Sequence, residues 1–484
     1  MKLRDLLRDV DVRATHGDLD VEIHAVAADS RLVTRGALFV AIPGLQTDGA
    51  KFIDSAKAKG AVAVVAQSGD ANVIVGDARA ALAIIAANFY GRPAEKLSLV
   101  GVTGTSGKTT TTKMIESIFD ATREAVGLIG TIEYRAGDER LTADRTTPDA
   151  VVLQEWFAKM VDARVRHAVM EVSSHALALR RTFGIRFSAA VFTNLSRDHF
   201  DFHKDFDDYF AAKRILFDQI PNARAAVVNR DDEYGRKLID QLGDAMTFGM
   251  SDADITPAPG FAVSVNGLHG KLRTPIGDIT VESNLLGQPN LYNWMGAIGA
   301  AIVVGIGARD IESGIRNLDT VRGRFERVAS DHGPTVIVDY AHKPDALEKL
   351  LHAVRALAPD RTLTVVFGCG GDRDKGKRPQ MGEIAARLAD RVVVTSDNPR
   401  SEDPRAIVRE IVAGIRGKAE VIVDRREAIA KTIDEANERD VIVIAGKGHE
   451  SYQVVGDRII HFDDREEAEL ALKKRSEKGV SNSV

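Results

Sequence analysis

The sequence has 484 residues, 44% apolar and 28% charged, which is an ordinary composition for a globular protein and a length that suits about three domains. Its 65 basic and 70 acidic residues give a net charge of -5, so the chain as a whole presents no electrostatic surface for nucleic acid. The single cysteine, Cys369, excludes an intrachain disulfide and a multi-cysteine metal cluster, and it is typical of a reducing compartment.

The first segment, MKLRDLLRDVDVR, alternates charge with leucine and lacks the apolar core of a signal peptide. The apolar stretch 295–308 is too short and too rich in glycine to span a bilayer. We therefore expect a cytoplasmic protein with no membrane partner.

Residues 1–95 form the first predicted region. The short runs ALFVAI, AVAVVA and ANVIV are strand-like and alternate with Gly and Asp turns, and an alanine-rich helix then ends at Gly91–Pro93. This break predicts a domain boundary near residue 95.

The next region opens with the strand LSLVGVTG, which leads into the glycine-rich run GVTGTSGKTTTT at residues 101–112 and then into a helix. Such a loop lets backbone N–H groups surround a phosphate, while Lys108 supplies charge and the Thr109 hydroxyl can ligate magnesium. Val102 replaces the first glycine of the usual pattern, and a short run of this kind also occurs by chance as a simple turn. The strand and helix on either side favour nucleotide binding.

Polar residues also follow the predicted strands HAVMEV and AAVFTN. Glu171 and Ser173 come after the first, and Asp198 and His199 after the second, so a carboxylate and an imidazole would reach the sheet edge near the phosphate loop. Singly, His199 or His203 is better explained as a loop histidine, and Glu171 as a solvated acid. Together, after a phosphate loop, they predict a metal site.

From Thr335 onwards, strands and helices alternate regularly, which predicts a parallel, doubly wound sheet with ligands at the carboxyl ends of its strands. The runs DNPR, residues 397–400, and GKGHE, residues 446–450, occupy two such ends. We therefore expect an α/β protein with a nucleotide-binding central domain and a doubly wound C-terminal domain.

Several runs carry a family resemblance, in this order: GTSGKTTTT, MEVSSH, FTNLSRDHFDFH, the helix with Lys213, GRFERV, VDYAHKPDAL, FGCGGDRDKGKRP, DNPR and AGKGHESYQ. The ordered set resembles the Mur ligases of bacterial peptidoglycan synthesis, most closely those that add the third residue to UDP-N-acetylmuramoyl-dipeptide. The resemblance implies an N-terminal UDP-binding domain at 1–95, a central P-loop ATPase domain at 96–325 and a C-terminal Rossmann-like amino-acid-binding domain at 326–484.

The resemblance also implies an activity. ATP would phosphorylate the D-glutamyl carboxylate of UDP-N-acetylmuramoyl-L-alanyl-D-glutamate, and the amine of an incoming amino acid would displace phosphate. The DNPR run is similar to that of members that use meso-diaminopimelate, and an arginine suits the extra carboxylate of that amino acid. The products would be ADP and a peptidoglycan precursor, needed for the cell wall, cell shape and division. The partners would be these small molecules with Mg2+, and we expect a monomer.

The resemblance assigns site residues by position. The ATP-binding set is Gly104, Thr105, Ser106, Gly107, Lys108, Thr109, Thr110, Asn293, Arg324, Asp339 and His342. The magnesium ligands are Thr109, Glu171, His199 and Lys213, the last as a carbamate, and the catalytic residues are Lys108, Lys213 and His199. The UDP-muramoyl-peptide set is Ser30, Gln46, Thr47, Thr146, Thr147, Ser173 and Arg181. The diaminopimelate set is Arg373, Asp397, Asn398, Pro399, Arg400, Gly446 and Glu450.

Two positions depart from the family pattern. Leu179 replaces a glutamine that contacts substrate in some members, and Pro289 in GQPN replaces an aromatic residue or histidine shortly before Asn293. The first substitution predicts that one substrate contact is missing, and the second leaves the geometry before Asn293 open.

Simpler explanations exist for the individual residues. Lys213 and Arg181 would then be solvated side chains, and Arg324 would form an interdomain salt bridge with Asp339. Arg400 would begin the next helix and pair with Glu402 or Asp403.

Other functions also share parts of the pattern. A folylpolyglutamate synthetase would share the ATPase and the acyl-phosphate chemistry, and a P-loop kinase or nucleotide-dependent regulator would share only the phosphate loop.

Overall fold

The computed structural model describes residues 1–44, 47–328 and 333–481, with side chains up to residue 477. The chain forms two compact units. The first unit contains Met1–Pro257, Leu272–Ile279 and Tyr292–Asn317, and the second contains Ala258–Lys271, Thr280–Leu291 and Leu318–Val484. The three predicted domain boundaries stay predictions.

The first unit begins with a five-stranded sheet in the order β1-β5-β4-β3-β2. Its strands are β1 Val12–Thr15, β2 Ala25–Ala27, β3 Ala37–Val40, β4 Ala61–Ala66 and β5 Val73–Val75. The helices are α1 Leu3–Leu6, α2 Ile53–Ala58 and α3 Ala78–Phe89, with 3-10 turns at Gly49–Phe52 and Pro93–Lys96. Helix α3 starts where the Asp77 carboxylate accepts hydrogen bonds from the backbone N–H groups of Arg79 and Ala80. The three strand-like runs predicted in this region are therefore confirmed as β3, β4 and β5.

A second sheet of eight strands, in the order β13-β12-β11-β6-β10-β7-β8-β9, follows in the same unit. Its strands are β6 Ser98–Thr103, β7 Val126–Ile129, β8 Glu133–Ala136, β9 Glu139–Thr142, β10 His167–Glu171, β11 Ala189–Phe192, β12 Ala226–Asn229 and β13 Met246–Phe248. The helices are α4 Lys108–Ala121, α5 Ala150–Asp162, α6 Ser174–Ala178, α7 Phe206–Arg214 and α8 Glu233–Leu242, with 3-10 turns at Ile215–Asp218 and Ala223–Ala225. Strand β6 lies between β10 and β11 and is parallel to both, so their carboxyl ends meet at one edge. The predicted α/β pattern of this region is confirmed.

The chain then passes between the two units. The elements here are β14 Thr256–Pro257, β15 Ala262–Ser264, β16 Gly267–Arg273, β17 Ile279–Ser283, α9 Gly287–Val303 and α10 Ala308–Asn317. Pro289 lies in the first turn of α9, where a missing N–H is tolerated, so the segment leading to Asn293 is helical.

The second unit contains a six-stranded sheet in the order β18-β19-β23-β20-β21-β22. The strands of this unit are β18 Glu326–Val328, β19 Thr335–Asp339, β20 Leu363–Phe367, β21 Arg391–Val394, β22 Glu420–Val421, β23 Val441–Ala445, β24 Tyr452–Val455 and β25 Arg458–His461, and the last two form a separate hairpin. The helices are α11 Pro344–Leu357, α12 Lys377–Leu388, α13 Pro404–Val412, α14 Arg425–Glu435 and α15 Asp464–Ser481. All neighbours in the sheet are parallel except the β18–β19 pair.

This arrangement confirms the predicted doubly wound sheet. Its central strands read as continuous apolar runs because helices cover both faces, with one core around Leu347 and Met381 and the other around Ile429 and Ala468. Within the described ranges, every helix is too short or too polar to cross a bilayer.

Candidate active site

The loop between β6 and α4 is built for an anion. Gly104, at φ +149°, and Gly107, at φ +85°, make the turn, and a Cβ on Gly104 would lie 1.9 Å from Thr193 Oγ1. The Lys108 ammonium donates to the carbonyls of Gly104 and Thr105, each at 2.9 Å. The positive end of helix α4 and this lysine therefore face the same loop, as the sequence predicts.

A cluster of oxygen atoms lies beside the start of α4. Glu171 ends β10 and is 1% exposed, and its Oε2 accepts hydrogen bonds from Thr109 Oγ1 at 2.9 Å and Thr131 Oγ1 at 3.0 Å. Its Oε1 accepts from the Thr131 backbone N–H at 2.7 Å. The interpretation of Glu171 as a solvated acid is wrong, because the β10–β6 register buries it next to the phosphate loop.

Lys213 is held against that loop. Its side chain, on helix α7, is 1% exposed, and its Nζ donates to the Gly104 carbonyl at 2.7 Å. Nζ also lies 4.4 Å from the centre of the Tyr209 ring. Burial, followed by the nearby Lys108 charge, lowers the pKa of Lys213 well below its ordinary value. Lys213 is therefore not a solvated lysine, and its ammonium loses a proton more readily than that of an exposed lysine.

His199 lies in the loop after β11, in a left-handed backbone conformation with φ +57°. Its ring centre is 4.7 Å from that of His175 and 6.3 Å from that of Tyr209, whose hydroxyl lies 3.2 Å from Thr105 Oγ1. His203 is buried and contacts Ser174 Oγ at 3.0 Å through Nε2, which is consistent with a structural role. The chain fold thus brings His199 to the side of the site that holds Lys213.

The donor set fits a hard cation only in part. The part of the chain that the structure describes has no group of three or more His, Cys, Asp or Glu side chains placed to hold a metal ion. Glu171 and Thr109 nevertheless supply neighbouring oxygen donors, and magnesium usually takes one or two carboxylates and completes its coordination with substrate phosphates and water. The residues present therefore fit magnesium bound together with a nucleotide.

Four residues predicted to bind the muramoyl-peptide lie together. Thr147 Oγ1 donates to the Glu171 carbonyl at 2.8 Å and accepts from the Ser173 backbone N–H at 3.1 Å. The Arg181 guanidinium donates to the Thr147 carbonyl at 2.7 Å, and Thr146 Oγ1 lies 3.1 Å from Thr131 Oγ1.

Arg181 is more than a solvated side chain. It is half-buried, which lowers its pKa, and no carboxylate of the described residues lies within 4 Å of it. It can therefore take an acidic group of a ligand. Leu179 follows helix α6 and offers no polar atom beside this group beyond its backbone.

The predicted uridine contacts stay predictions. The Ser30 carbonyl accepts from Lys59 Nζ at 3.0 Å, and the Thr47 carbonyl accepts from the Gly44 N–H at 2.9 Å. Gln46 lies outside the described residues.

The Asn293 side chain lies beside the phosphate loop. Its Oδ1 accepts from Thr111 Oγ1 at 3.3 Å and lies 2.5 Å from where a Cβ on Gly107 would be. Only glycine at position 107 therefore lets this amide approach the start of α4.

The other residues predicted to bind the nucleotide, Arg324, Asp339 and His342, lie in the second unit. Desolvation raises the pKa of the half-buried Asp339, which accepts from the N–H groups of Phe325 and Ala341 at 2.7 and 2.8 Å. The Arg324 guanidinium lies 4.9 Å from the centre of the Tyr340 ring, and its Nε is buried without a hydrogen-bond partner. An interdomain salt bridge between Arg324 and Asp339 is therefore wrong, because these described residues share one unit and form no ion pair.

A second cluster lies at the carboxyl ends of β21 and β23 in the second unit. Asn398 donates from Nδ2 to Glu450 Oε2 at 2.9 Å, and its Oδ1 accepts from the Val454 N–H at 2.9 Å. Asp397 is 6% exposed, and its Oδ2 lies 3.0 Å from where a Cβ on Gly446 would be. Burial raises the pKa of Glu450. Carboxylates and an amide thus converge on one small volume, as the strand-end prediction requires.

Arg400 closes one side of this cluster. It adopts a left-handed conformation at φ +51°, and its Nη1 donates to the carbonyls of Gly371 at 2.8 Å and Asn398 at 3.4 Å. Helix α13 starts at Pro404 and is capped by Asp403, so the alternative in which Arg400 begins that helix is wrong. No carboxylate among the described residues lies within 4 Å of its guanidinium, which leaves its other N–H groups available to a ligand.

The predicted companion Arg373 is exposed and donates to the Asp372 carbonyl at 3.0 Å. It lies in the segment after β20 that also contains Gly371. A Cβ on Gly371 would be 1.8 Å from the Pro399 carbonyl oxygen, so only glycine lets this segment pack against the DNPR turn.

Two residues of these clusters were missed in the sequence. Lys447 is 0% exposed, and its Nζ donates to Asn398 Oδ1 at 3.2 Å and lies 3.6 Å from Asp397 Oδ1 and 3.5 Å from Glu450 Oε2. It stands within the GKGHE run, but nothing in that run shows that it is buried. Thr131, which binds Glu171 on two sides, stands in no motif at all.

Comparison with known proteins gives three family matches. They are described as "Mur ligase family, catalytic domain" over residues 22–90, "Mur ligase middle domain" over 102–301 and "Mur ligase, glutamate ligase domain" over 323–448.

The chain is also similar to curated proteins along nearly its whole length. It is 45% identical to the "UDP-N-acetylmuramoyl-L-alanyl-D-glutamate--2,6-diaminopimelate ligase" of Geobacter metallireducens, over 99% of this chain and 100% of that protein. It is 46% identical to the protein of the same name from Thermosynechococcus vestitus, over 98% of each.

Solved structures agree. The structure of a UDP-N-acetylmuramoyl-L-alanyl-D-glutamate--2,6-diaminopimelate ligase matches with a TM-score of 0.72 at 31% identity, over 98% of this chain and 99% of that one. Folylpolyglutamate synthase of Mycobacterium tuberculosis, complexed with ADP and AMPPCP, matches with a TM-score of 0.60 at 21% identity, over 75% of this chain and 91% of that one. The second likeness shows a shared fold alone.

Proposed function

The chain belongs to the Mur ligase family, and from this we propose that it joins meso-diaminopimelate to UDP-N-acetylmuramoyl-L-alanyl-D-glutamate in an ATP-dependent, ADP-forming reaction of peptidoglycan precursor synthesis. The observation that carries the choice of amino acid is Arg400, a half-buried guanidinium with only carbonyl partners, beside Asn398 and Glu450. The reaction would take place in the cytoplasm.

The first unit supplies the phosphate chemistry. A carboxylate repels nucleophiles, so the D-glutamyl carboxylate must first become an acyl phosphate by attack on the terminal phosphate of ATP. The backbone N–H groups of residues 104–109 and the Lys108 ammonium would hold the phosphates and stabilise the charge that develops during transfer. Asn293 would complete this edge of the nucleotide site.

Glu171 and Thr109 would hold magnesium, and His199 and Lys213 would complete its surroundings. When bound, magnesium would neutralise phosphate charge and align the transferred group. Lys213 is suited to become a carbamate, because its neutral amine can attack carbon dioxide. An N–C bond forms, the electrons of one C=O bond move to oxygen so that the CO2 carbon becomes a carboxylate, and the nitrogen releases a proton. The modification would place an anion at this buried position next to the phosphate loop.

Arg181 would pair with an acidic group of the muramoyl-peptide, and the hydroxyl groups of Thr146, Thr147 and Ser173 would bind its peptide part. These four residues share one edge with Glu171, so the substrate carboxylate would lie close to the phosphate being transferred. Ser30, Gln46 and Thr47 are proposed for the uridine end on resemblance alone.

The second unit supplies the amino-acid site. The available N–H groups of Arg400 match the two oxygens of a carboxylate at the far end of diaminopimelate, and Asp397, Asn398 and Glu450 match the ammonium beside it. L-lysine has no such carboxylate, so it would leave the guanidinium desolvated and unpaired. The free amine at the other end would attack the acyl phosphate and expel phosphate.

The test is release of phosphate from ATP by the full-length protein, with UDP-N-acetylmuramoyl-L-alanyl-D-glutamate and either meso-diaminopimelate or L-lysine. We expect release that needs both the nucleotide-linked substrate and diaminopimelate, with L-lysine a poor substitute. Equal use of the two amino acids would contradict the proposed specificity. Phosphate kept on the product would indicate a kinase, and release that needs no amine would indicate a regulator.

A further inference from the structure

A buried arginine, Arg378, lies directly behind the amino-acid site. Its side chain on helix α12 is 0% exposed, and it forms a fork with Glu402, with Nη1 to Oε2 at 3.0 Å and Nη2 to Oε1 at 2.9 Å. Nη1 also donates to Glu410 Oε2 at 2.7 Å. Both oxygens of Glu402 are therefore engaged, and its pKa falls to about 2 because of the hydrogen bonds from Arg378.

Arg378 and Arg400 hold neighbouring peptide groups. Arg378 Nη2 donates to the Gly370 carbonyl at 3.2 Å, and Arg400 Nη1 donates to the Gly371 carbonyl at 2.8 Å. The two guanidinium groups therefore bind the carbonyls of adjacent residues in one short segment.

Glu402 also shares a turn with Arg400, because its N–H donates to the Pro399 carbonyl at 3.0 Å. Its carboxylate binds Arg378 instead of Arg400, and it also accepts from the Asp372 N–H at 2.7 Å and lies 3.2 Å from the exposed Lys375 ammonium. Two other acids near Arg400 are engaged as well: Asp403 accepts from the Arg405 N–H at 3.0 Å, and Asp372 accepts from the Ser401 hydroxyl at 2.7 Å. Arg400 therefore lacks a carboxylate partner because each nearby carboxylate is bound elsewhere, and Arg378 is the buried cation that binds Glu402.

We propose that Arg378 is a positioning residue for amino-acid specificity: it binds Glu402 and so keeps Arg400 open for the distal carboxylate of diaminopimelate. The inference rests on the proposed function, in which Arg400 binds that carboxylate. Without Arg378, Glu402 turns to Arg400, and diaminopimelate has to displace an internal carboxylate before it binds.

The size of the effect follows from this competition. If only one Arg400 in ten stays unpaired, the apparent affinity for diaminopimelate falls about tenfold, which corresponds to about 1.4 kcal/mol for the new internal pair. L-Lysine has no carboxylate for the clamp and leaves the Glu402–Arg400 pair in place, so its KM does not rise. The preference for diaminopimelate over L-lysine therefore falls by at least the same factor, about ten.

The experiment compares three proteins by steady-state phosphate release: Arg378→Gln, Arg378→Gln/Glu402→Gln and Arg378→Gln/Glu410→Gln. We expect the single variant to raise the KM for diaminopimelate about tenfold, with kcat and the KM for ATP little changed. Both double variants restore the net charge, but only the one without Glu402 removes the competitor. It should therefore return close to the natural KM, while the Glu410 double variant stays impaired.

Arg387→Gln is the matched control, because Arg387 lies on the same helix, is exposed and pairs with Glu348 away from the site. Should Arg378→Gln fail to fold, Arg378→Lys keeps a cation there with fewer hydrogen bonds, and it should raise the KM by a smaller factor.

Equal rescue by the two double variants would show a long-range charge effect, and rescue by neither would show a structural role. If the natural protein prefers diaminopimelate, either of these results overturns this inference. An unchanged KM for diaminopimelate in both Arg378→Gln and Arg378→Lys does so too. A natural protein without that preference would instead overturn the proposed clamp.

Discussion

Replacement of Arg400 by alanine tests the proposed amino-acid site most directly. In the structure its Nη1 is used by two carbonyls, while Nε and the rest of the fork have no carboxylate partner among the described residues. Loss of one partner from a desolvated, hydrogen-bonded charge pair costs about 2 to 5 kcal/mol. We therefore expect Arg400→Ala to lower kcat/KM for diaminopimelate by about 30- to 5,000-fold.

Part of that loss has nothing to do with substrate. The bond from Arg400 to the Gly371 carbonyl also holds the neighbouring segment, and a hydrogen bond of this kind contributes about 1 kcal/mol to the stability of the local structure. The ratio of kcat/KM for diaminopimelate to that for L-lysine removes this common part, because both amino acids need the same segment. The ratio should fall by at least about tenfold.

Phosphate release with each amino acid, at saturating ATP and UDP-linked substrate, gives the two constants. Arg405→Ala is the control, since Arg405 is exposed and lies one residue inside helix α13. Unchanged diaminopimelate kinetics in Arg400→Ala, or an equal fall for both amino acids, would refute the carboxylate clamp.

Three further changes test other parts of the molecule. Lys213→Ala should bind ATP but lose about 10- to 100-fold in kcat, and formate or acetate should restore part of the activity. Lys204→Ala is the control, because Lys204 is exposed. Full activity of Lys213→Ala would rule out the carbamate. Burial lowers the pKa of His342 to about 4, whereas a histidine in the unfolded chain titrates near 6.5. Between these values the unfolded chain binds more protons than the folded protein, so the free energy of unfolding decreases as the pH is lowered. Between pH 7.5 and pH 5 the free energy of unfolding, measured by urea denaturation, should decrease by about 2 kcal/mol less in His342→Gln than in the natural protein. Identical pH profiles of the two proteins would contradict this prediction. Arg425 and Asp464 are both 0% exposed and joined by two 2.7 Å bonds, so Arg425→Met should reduce the free energy of unfolding by about 3 to 5 kcal/mol, and Arg425→Met/Asp464→Leu should recover most of it. Equal stability of the single and double variants in denaturant would show that the buried charge is not the cause.

The phosphate loop could be predicted from sequence because its determinants are local. An apolar strand, two glycines that permit positive φ and a lysine at the first position of a helix lie within ten residues of each other. The alternation of strands and helices after Thr335 is local in the same way, since apolar runs of strand length and amphipathic helices can be read one after another. The positions of Asp397 and Arg400 after a strand follow from that pattern, and the position of Glu171 follows from the apolar run that precedes it.

Burial and pairing could not be predicted, because they depend on residues far apart in the chain. Lys213 looks like an ordinary helix lysine until packing places its Nζ on the Gly104 carbonyl, 109 residues away. Lys447 reaches Asn398 over 49 residues. In each case the tertiary packing, and not the residue type, decides what the ammonium group binds.

The ion pairs at the DNPR turn show most clearly what the sequence determines and what the tertiary structure decides. The sequence by itself determined that an arginine follows a buried strand, but it offered Glu402 and Asp403 as equally near partners. Only the tertiary structure decided that Arg378, brought from helix α12, binds Glu402, and that Asp403 caps helix α13. A carboxylate binds the cation that presents a preorganised, desolvated fork, and that geometry exists only once the helices and strands have packed.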